Sequence, residues 1–399
     1  MKICLVGSLL PTKIFDDIVR KSKYKPSNAP ENFQLMLAKG LSEQMDYLTA
    51  ISFPTMAPYP KGPELFLQEK KYTIGSDIEI VSAPMINIQG FKQRSISHHA
   101  YRYVRDWLRN TNDDKKIVIS YSDYPPYADA CRKACARDDK ASCVLLMTDL
   151  PTFSLYEHKS NPYTWMMNRM DRDRIRNFDQ FDAYILLTKY MQKEMRIENK
   201  PVVIVEGFSD PAAYDFDEKK NAKKTLMYAG ALSTVHNIRT LVDAFLRTDI
   251  DAEFWIFGGG DQQEYVCEAA SKDKRIRYFG KVSRNEMLHA QKRAHVLVSA
   301  KSTDDRHTNF AFPSKILEYM TSGTAVLTTR VGGIPEEYFD YVYTINDESI
   351  DGIAKSIEKT LNIPIEELTL IGNRAKTFVT EKKNYSEQAK RIVEFLNKL

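Results

Sequence analysis

The feature that most constrains the fold is an alternation of short apolar segments with helix-like segments, which occurs twice along the chain. In the first half, residues 3–7 and 143–148 are short apolar runs, and helix-like stretches lie between such runs. This alternation is typical of a parallel sheet covered on both faces. The pattern stops in a charged segment at residues 210–224 and restarts at Leu226. The sequence therefore predicts two α/β domains joined by a linker.

The composition agrees with a folded protein of this size. A chain of 399 residues is too long for one ordinary core, and 43% hydrophobic with 28% charged residues is typical of globular proteins. The net charge of +4 is spread over 57 basic and 53 acidic residues. We therefore expect no nucleic-acid partner.

The cysteines and the apolar segments bear on where the protein acts. The five cysteines show no paired CxxC spacing, which favours reduced thiols. No apolar run approaches the roughly 20 residues that a membrane span needs, and residues 1–7 resemble a first strand rather than a signal peptide. We expect a cytoplasmic protein, and peripheral contact with the inner face of the plasma membrane stays open.

One stretch near the C-terminus combines a helix start, a buried strand and a glycine-rich turn. Residues 310–323 read FAFPSKILEYMTSG, and residues 324–336 read TAVLTTRVGGIPE. Pro313 and Ser314 are helix-start signals, with Ser314 a good N-cap, and Gly323 is the expected C-terminal stop. A helix start that offers free N–H groups and partial positive charge suits phosphate.

Two charged side chains lie in the first turn of this predicted helix. Lys315 is at its start, and Glu318 follows three residues later. A cation for phosphates beside a carboxylate for hydroxyls is what a sugar nucleotide requires. The alternative for both residues is a solvated helix surface, and Ser314 could do no more than cap the helix.

The sequence of residues 310–336 resembles the C-terminal domain of family 4 glycosyltransferases, which are retaining, nucleotide-sugar-dependent enzymes with the GT-B fold. The likeness is nearest to the bacterial subgroup that acts in capsular and exopolysaccharide assembly. Matching segments follow in the expected order at residues 228–232 (YAGAL), 255–260 (WIFGGG) and 276–282 (IRYFGKV). The resemblance covers residues 180–399 well and residues 1–180 more thinly.

The resemblance implies an α/β GT-B fold, in which two Rossmann-like, doubly wound domains face a cleft. We predict an N-terminal acceptor domain over residues 1–208, a linker over 209–224 and a C-terminal nucleotide-sugar domain over 225–375. Residues 376–399 are predicted to form a terminal helix that returns to the first domain. The sequence alone shows an amphipathic stripe there.

The resemblance also assigns roles in donor binding. Glu318 would accept hydrogen bonds from the ribose hydroxyls, and Lys315 would act catalytically by neutralising the departing diphosphate. Residues 279–282 would hold the base through backbone groups, and Gly230 would let the backbone approach the ligand closely. The predicted donor-binding residues are Glu318, Ser314, Lys315, Gly230, Asn309, Phe279, Lys281 and Val282.

The chain departs from the family pattern at three positions. Phe310 stands where the family has a glutamate that contacts the donor sugar, and Ala231 and His236 stand where it has arginine and lysine. Lys315 is then the main cation, with help expected from Arg306 or Arg330. The residues considered as substitutes for reading the sugar are Asp304, Asp305, Thr308 and Asn309.

In the first domain, Asp149 follows an apolar strand and is predicted to orient or deprotonate an acceptor hydroxyl, with a turn cap as the alternative. Residues 7–9 are a weak counterpart of the family's glycine loop near the donor phosphates. The DxD-like pattern at residues 171–173 lies in a helix-like stretch, so we expect no metal site there. Residues 163–176 mix aromatic, methionine and basic residues that could rest on an anionic membrane, but acidic residues interrupt them and an ordinary packed helix is favoured.

These observations predict a retaining glycosyltransferase that uses a nucleotide-diphosphate sugar, with UDP-sugar favoured, and needs neither metal nor cofactor. The expected partners are the nucleotide sugar and a glycan or polyprenyl-linked oligosaccharide acceptor. Two alternatives stay open: a catalytically silent GT-B subunit that assists a partner, and a GT-B nucleotide-sugar 2-epimerase.

Overall fold

The computed structural model describes residues 1–150 and 178–399. The chain divides into two compact units. The first unit comprises Met1–Phe208 with Tyr385–Leu399, and the second comprises Ser209–Asn384. The DxD-like pattern at 171–173 and the basic and aromatic segment at 163–176 were noted in the sequence, and both lie outside the described residues.

The first unit is built on a mostly parallel sheet. Its strands are β1 (Lys2–Gly7), β2 (Leu48–Ser52), β3 (Phe66–Leu67), β4 (Lys70–Ile74), β5 (Ile78–Ser82), β6 (Met85–Ile86), β7 (Lys116–Tyr121), β8 (Ala141–Met147), β9 (Ala183–Leu186) and β10 (Val202–Ile204). Its helices are α1 (Thr12–Lys21), α2 (Asn28–Glu43), α3 (Lys92–Asn110), α4 (Pro125–Cys135), α5 (Lys189–Glu194) and, after the second unit, α13 (Tyr385–Leu396). The main sheet has the order β10-β9-β8-β7-β1-β2-β5-β4, and only the β4–β5 pair in it is antiparallel.

The terminal helix α13 packs on α2 in this unit. Ala389, Ile392 and Leu396 are fully buried in the same apolar cluster as Leu37 of α2. The two helices approach each other closely at Gly40. A Cβ there would lie only 2.2 Å from the Tyr385 carbonyl oxygen, so the close approach requires glycine. The last helix is therefore part of the unit that contains the first strand.

The second unit is an open parallel sheet between helices. Its strands are β11 (Thr225–Ala229), β12 (Glu253–Phe257), β13 (Ile276–Gly280), β14 (Val296–Ser299), β15 (Ala325–Thr329) and β16 (Tyr343–Ile345). Its helices are α6 (Ile238–Leu246), α7 (Gln263–Lys272), α8 (Arg284–Arg293), α9 (His307–Phe310), α10 (Ser314–Thr321), α11 (Ile350–Leu361) and α12 (Ile365–Lys382).

The strand order of the second unit sets the position of a ligand site. The order is β13-β12-β11-β14-β15-β16, and each pair is parallel. The chain builds outward from β11 to β13 and then outward in the other direction from β14 to β16. Ligands of open α/β sheets bind at the carboxyl ends of the strands where this order reverses, which here are β11 and β14.

Two segments differ from the expected domain plan. Residues 209–224, treated as a linker, are part of the second unit, where Tyr214 is 3% exposed. Residues 376–399 form two helices rather than one, since α12 ends at Lys382 in the second unit and α13 begins at Tyr385 in the first. The charged composition of 210–224 concealed the buried tyrosine.

Candidate functional site

The carboxyl ends of β11 and β12 approach each other through glycines. Gly230 and Gly258 have φ of 151° and 129°, and a Cβ on Gly258 would lie 1.8 Å from the Gly230 carbonyl oxygen. The Gly230 N–H donates to the Phe257 carbonyl over 3.0 Å, which links the two turns. A side chain at Gly258 would be incompatible with both the backbone conformation and the space. The carboxyl edge of the sheet, formed by the ends of β11 and β12, is therefore lined by close-packed backbone.

Helix α10 brings the motif of the C-terminal stretch to this edge. Its N-cap is Pro313, without a side-chain cap, and Ser314 is an exposed residue of the first turn. The prediction that Ser314 caps the helix is therefore wrong, because Ser314 already lies inside the helix. The Tyr319 hydroxyl accepts from the Ala229 N–H over 2.9 Å and donates to the Ala229 carbonyl over 3.1 Å. This pair of bonds fixes α10 against the end of β11.

Lys315 lies directly against the β11 turn. Its Nζ is 4.4 Å from the centroid of the Tyr228 ring and donates to the Tyr228 hydroxyl over 3.1 Å. A Cβ on Gly230 would be 1.8 Å from this Nζ. Burial, followed by the positive charge of Lys301, lowers the pKa of Lys315 to about 7, against the opposing effect of Glu318. A bound anion would favour the charged form of this lysine.

Two further basic groups lie close to Lys315. Lys301 follows β14, and its carbonyl accepts from the Thr329 hydroxyl over 2.5 Å. Burial, then the charges of Lys315 and Lys301, lower the pKa of His236 to about 4. We call Lys315, Lys301 and His236 the basic cluster. Like charges held close together repel one another, so the cluster suits a ligand with more than one negative charge.

Lys301 was not among the residues predicted from the sequence. The signal available was its place two residues after the apolar run of β14, since this strand flanks the point where the strand order reverses. His236 was noted there only as a replacement for the family's lysine. The structure puts it beside the two lysines, where it adds a polar ring that burial holds neutral at pH 7 by lowering its pKa.

Glu318 lies one turn along α10 and is half-buried. Its Oε1 accepts from Nε2 of Gln291 on α8 over 2.7 Å. The Gln291 Oε1 in turn accepts from the Tyr214 hydroxyl, and both of these residues are buried. Neither Gln291 nor Tyr214 was predicted from the sequence. Glu318 is therefore a held carboxylate rather than a solvated helix residue.

An exposed aromatic ring lies at the end of the edge strand β13. Phe279 is 38% exposed, and its ring stacks on Phe257 with centroids 4.5 Å apart and planes 3° apart. Lys281, two residues after Phe279, lies along Gly259, where a Cβ would be 2.6 Å from the Lys281 Cε. The next residue, Val282, is partly buried. This end of the sheet offers a supported flat face beside backbone groups.

The loop before α10 has no carboxylate at the position of Phe310. Phe310 is 8% exposed and belongs to the core. The buried Thr308 donates its hydroxyl to the Asp305 carbonyl over 2.7 Å, so it serves the local turn. Asn309 is partly exposed, and both Asp304 and Arg306 are exposed.

Arg330, the other cation considered from the sequence, is exposed and pairs with Glu336. Its guanidinium also lies 4.1 Å from the centroid of the Phe339 ring. These contacts of Arg330 are made with residues later in its own loop. The second lysine of the basic cluster is Lys301 instead.

In the first unit, the strand order reverses between β1 and β7. Asp149 is exposed just after β8, near enough to Tyr121 for its charge to raise the pKa of that phenol, although burial of Tyr121 is the main cause. At the neighbouring turn after Gly7, the Ser8 N–H does not face a ligand, because it donates to Gln34 Oε1 over 2.9 Å. A Cβ on Gly7 would lie 2.2 Å from the same oxygen.

Glu31 lies at the start of α2 beside this turn and was also missed. It is 6% exposed, and its Oε1 accepts from the Ser8 hydroxyl over 2.5 Å. Burial raises its pKa to about 7, against hydrogen bonds from Ser8 and Thr55 that favour the charged form. A buried carboxyl group at this turn is unfavourable for phosphate. The family-like glycine loop at residues 7–9 is therefore a poor phosphate site.

Residues 1–150 and 178–399 contain no group of three or more His, Cys, Asp or Glu side chains that could hold a metal ion. In the same residues, no helix has the length and apolar character needed to cross a bilayer. All five cysteines are free thiols.

The chain is similar to known proteins both in sequence and in fold. Residues 212–397 match the family model described as glycosyl transferases group 1. A subunit of the human phosphatidylinositol N-acetylglucosaminyltransferase is 26% identical over 36% of this chain and 29% of its own length. The N-acetyl-alpha-D-glucosaminyl L-malate synthase of Bacillus anthracis is 26% identical over 46% of this chain and 50% of its own. The matched regions thus span half or less of these relatives.

Solved structures extend the likeness to the whole fold. A UDP-forming alpha,alpha-trehalose-phosphate synthase from Burkholderia xenovorans superposes with a TM-score of 0.66 at 11% identity, with 100% of both chains covered. HepE from Anabaena, in complex with UDP, superposes with a TM-score of 0.63 at 13% identity over 100% of both chains. The fold is therefore GT-B, as the sequence predicts.

Residues 212–397 therefore match the group 1 glycosyl transferases in sequence, and the fold of the chain is that of the GT-B glycosyltransferases.

Proposed function

We propose that this protein transfers a sugar from a nucleotide-diphosphate donor to a hydroxyl of a glycan acceptor, with retention at the anomeric carbon. The observation that carries the proposal is the basic cluster beside Glu318. Lys315 and Lys301 lie together at the point where strand order reverses in the second unit, and the charge of Lys301 contributes to the lowered pKa of Lys315. A diphosphate would supply negative charge to both lysines.

The basic cluster is suited to the leaving group. As the bond between the anomeric carbon and the diphosphate oxygen breaks, negative charge grows on that oxygen. An ammonium already in position stabilises this charge more in the transition state than in the ground state. Lys315, packed against Tyr228 and Gly230, is positioned without the side-chain disorder of an exposed lysine.

The remaining parts of the donor match the neighbouring groups. Glu318 would accept hydrogen bonds from the ribose hydroxyls, and such bonds to a charged group contribute about 1.5–3 kcal/mol each. The base would lie on the face of Phe279, beside the backbone of Lys281 and Val282. Ser314 and Asn309 flank the sugar and phosphate space in this proposal. UDP is favoured because two structural neighbours are named for UDP formation or hold UDP.

Acceptor binding is assigned to the first unit. Asp149 would orient the acceptor hydroxyl, whose oxygen bonds to the anomeric carbon on the face that the diphosphate leaves. The hydroxyl proton then passes to the departing diphosphate oxygen. A surface glycan carried on a polyprenyl lipid is the acceptor class favoured by the family resemblance, with the reaction at the cytoplasmic face of the membrane. The mechanism uses side-chain charges and asks for no metal or cofactor.

A nucleotide panel with one matched variant pair tests the donor site. Saturation at a hundred times the dissociation constant adds about 2.7 kcal/mol of stability, which a thermal-shift assay with UDP, GDP and ADP would detect. We expect Glu318→Ala to abolish the shift for the true nucleotide. Glu268→Ala, an exposed glutamate on α7 that pairs with Lys272, is the control and should keep the shift. An unchanged shift in Glu318→Ala would remove Glu318 from the site.

Product analysis then tests the reaction. Incubation with UDP-sugars should release free UDP slowly by transfer to water, and faster once a glycan acceptor is added. Conversion of the donor into its epimer would indicate the 2-epimerase alternative. Binding without turnover in the presence of glycan acceptors would indicate the silent subunit.

A further inference from the structure

The carboxylate of Glu318 is held by a side chain on a neighbouring helix. Gln291 of α8 has no exposed surface, and its Nε2 donates to Glu318 Oε1 over 2.7 Å. The hydroxyl of Tyr214, which is 3% exposed, donates to Gln291 Oε1. A carboxylate only accepts hydrogen bonds, so the amide nitrogen must face Glu318 and the amide oxygen must face the phenol.

The backbone of Gln291 is fixed as well. Its carbonyl accepts from the Thr324 hydroxyl over 2.8 Å, and that hydroxyl accepts from Lys220 Nζ over 2.9 Å. Thr324 immediately precedes β15, so the end of α8 is tied to the sheet. Both the backbone position of Gln291 and the orientation of its side-chain amide are therefore fixed.

The partner of Glu318 affects what this carboxylate can recognise. Gln291 is neutral, so this hydrogen bond adds no positive charge beside the Glu318 carboxylate. The amide takes one of the roughly four lone-pair positions of the carboxylate and fixes the plane of the others. Two adjacent hydroxyls on a ring can use a fixed plane better than a freely rotating one, because the ordering cost has already been met.

We propose that Gln291 and Tyr214 are positioning residues that give the site its preference for ribonucleotides over 2′-deoxyribonucleotides. This inference rests on the proposed function, in which Glu318 accepts hydrogen bonds from the ribose. A site built to bind a hydroxyl rejects an analogue that lacks it, because the buried polar group is then left unpaired. The strength with which the site rejects the 2′-deoxy analogue therefore depends on how firmly the orientation of the Glu318 carboxylate is fixed.

The test is calorimetric titration of the full-length protein with UDP and with 2′-deoxy-UDP. We expect the wild type to prefer UDP by at least about tenfold. Tyr214→Phe keeps the buried ring and removes the hydroxyl that orients Gln291, and Gln291→Met removes the donor to Glu318. Both variants should weaken UDP binding by about tenfold and weaken 2′-deoxy-UDP binding much less, because only the 3′-hydroxyl contact is then affected, so that the preference falls toward one.

Two controls separate this role from general damage to the unit. Tyr265→Phe removes a hydroxyl that bonds Asp243 elsewhere in the same unit, and it should leave the preference unchanged. Thermal unfolding without ligand shows whether each variant is folded, and Tyr214→Phe is the milder change should Gln291→Met fail to fold. Equal weakening of UDP and 2′-deoxy-UDP in Tyr214→Phe would overturn the positioning role.

Glu318→Gln distinguishes failure of the inference from failure of the proposed function. If Glu318→Gln abolishes the preference but Tyr214→Phe and Gln291→Met retain it, the positioning role is wrong and the ribose contact stands. If Glu318→Gln also retains the preference, the proposed ribose contact is wrong and the inference fails with it. A wild type that binds neither UDP, GDP nor ADP contradicts both.

Discussion

The two units place opposite chemistry at equivalent points of similar sheets. In each, the strand order reverses once at the centre, between β1 and β7 in the first unit and between β11 and β14 in the second. The second unit puts the basic cluster there. The first unit puts Glu31 beside its first strand and Asp149 just after β8.

The difference lies in the turns at the strand ends rather than in the strands themselves. In the second unit the turn after β11 is a glycine against which an ammonium packs. In the first unit the turn after β1 is filled by the amide of Gln34, which accepts from the Ser8 N–H. Parallel sheets of this kind set where ligands bind, while the side chains decide which charge is accepted. Four predictions test this contrast.

The largest effect is expected from Lys315→Ala. Removing the cation nearest the β11 turn should lower kcat by about 10²–10³-fold, because charge on the leaving diphosphate loses its positioned partner. Steady-state kinetics with a UDP-sugar measures this. Lys272→Ala, an exposed lysine on α7, should leave kcat unchanged. A wild-type kcat in Lys315→Ala would end the assignment of this unit to the diphosphate.

The next effect concerns Glu31 and the stability of the first unit. Its pKa is raised to about 7 in the folded protein from the ordinary value of 4.5, so the folded state binds the extra proton between these values. Stability from this group is therefore present at low pH and lost as pH rises from about 4.5 to 7, by up to about 3 kcal/mol.

Glu31→Gln isolates this contribution, because the amide keeps an acceptor for Ser8 and does not ionise. We expect the unfolding temperature of the variant, relative to that of the wild type, to be several degrees higher at pH 8 than at pH 5. Calorimetric scans at both pH values measure the difference. Parallel pH profiles of the two proteins would show that Glu31 is not a strained buried acid.

A third effect sharpens the contrast through the acceptor. Asp149→Asn should raise the KM for a glycan acceptor by about tenfold or more, since a hydrogen bond to a charged group is lost. The affinity for UDP should stay the same, because the diphosphate belongs to the other unit. Acceptor kinetics and UDP calorimetry on one preparation give both values. Loss of UDP affinity instead would break the division of labour.

The smallest effect is the pH dependence of nucleotide binding. Free Lys315 has a pKa of about 7 because of burial and Lys301, and a bound diphosphate would raise it. Binding should therefore take up a proton above pH 7, and UDP affinity should fall by up to about tenfold per pH unit there. Calorimetry in buffers of different ionisation enthalpy counts the protons. Lys315→Arg stays charged, and we expect it to lose this dependence.

Local patterns predicted much of the fold. Strands such as β12 and β14 are continuous apolar runs bounded by polar turns, and the terminal helix carries a regular apolar stripe, so both were readable. Helix α3 (Lys92–Asn110) was not, because its buried residues recur only once per turn among histidines and arginines. The antiparallel edge strand β4 was missed for a similar reason, since its side chains are exposed or only partly buried.

The candidate site divides in the same way. Lys315 and Glu318 share one helix, so a local motif reveals them. Gln291 lies 27 residues before Glu318, and Tyr214 lies 77 residues before Gln291. Only the order of strands and helices brings these side chains together, and Lys301 joins them because β14 lies next to β11. Topology, rather than local pattern, assembles the supporting part of the site.

A crystal structure of the protein with UDP bound tests most directly whether the basic cluster holds the diphosphate. We expect the diphosphate to contact Lys315 Nζ at the end of β11, Lys301 to lie beside it, and Glu318 to accept hydrogen bonds from the ribose. A diphosphate bound at the Gly7 turn of the first unit, or away from the basic cluster, would contradict this expectation.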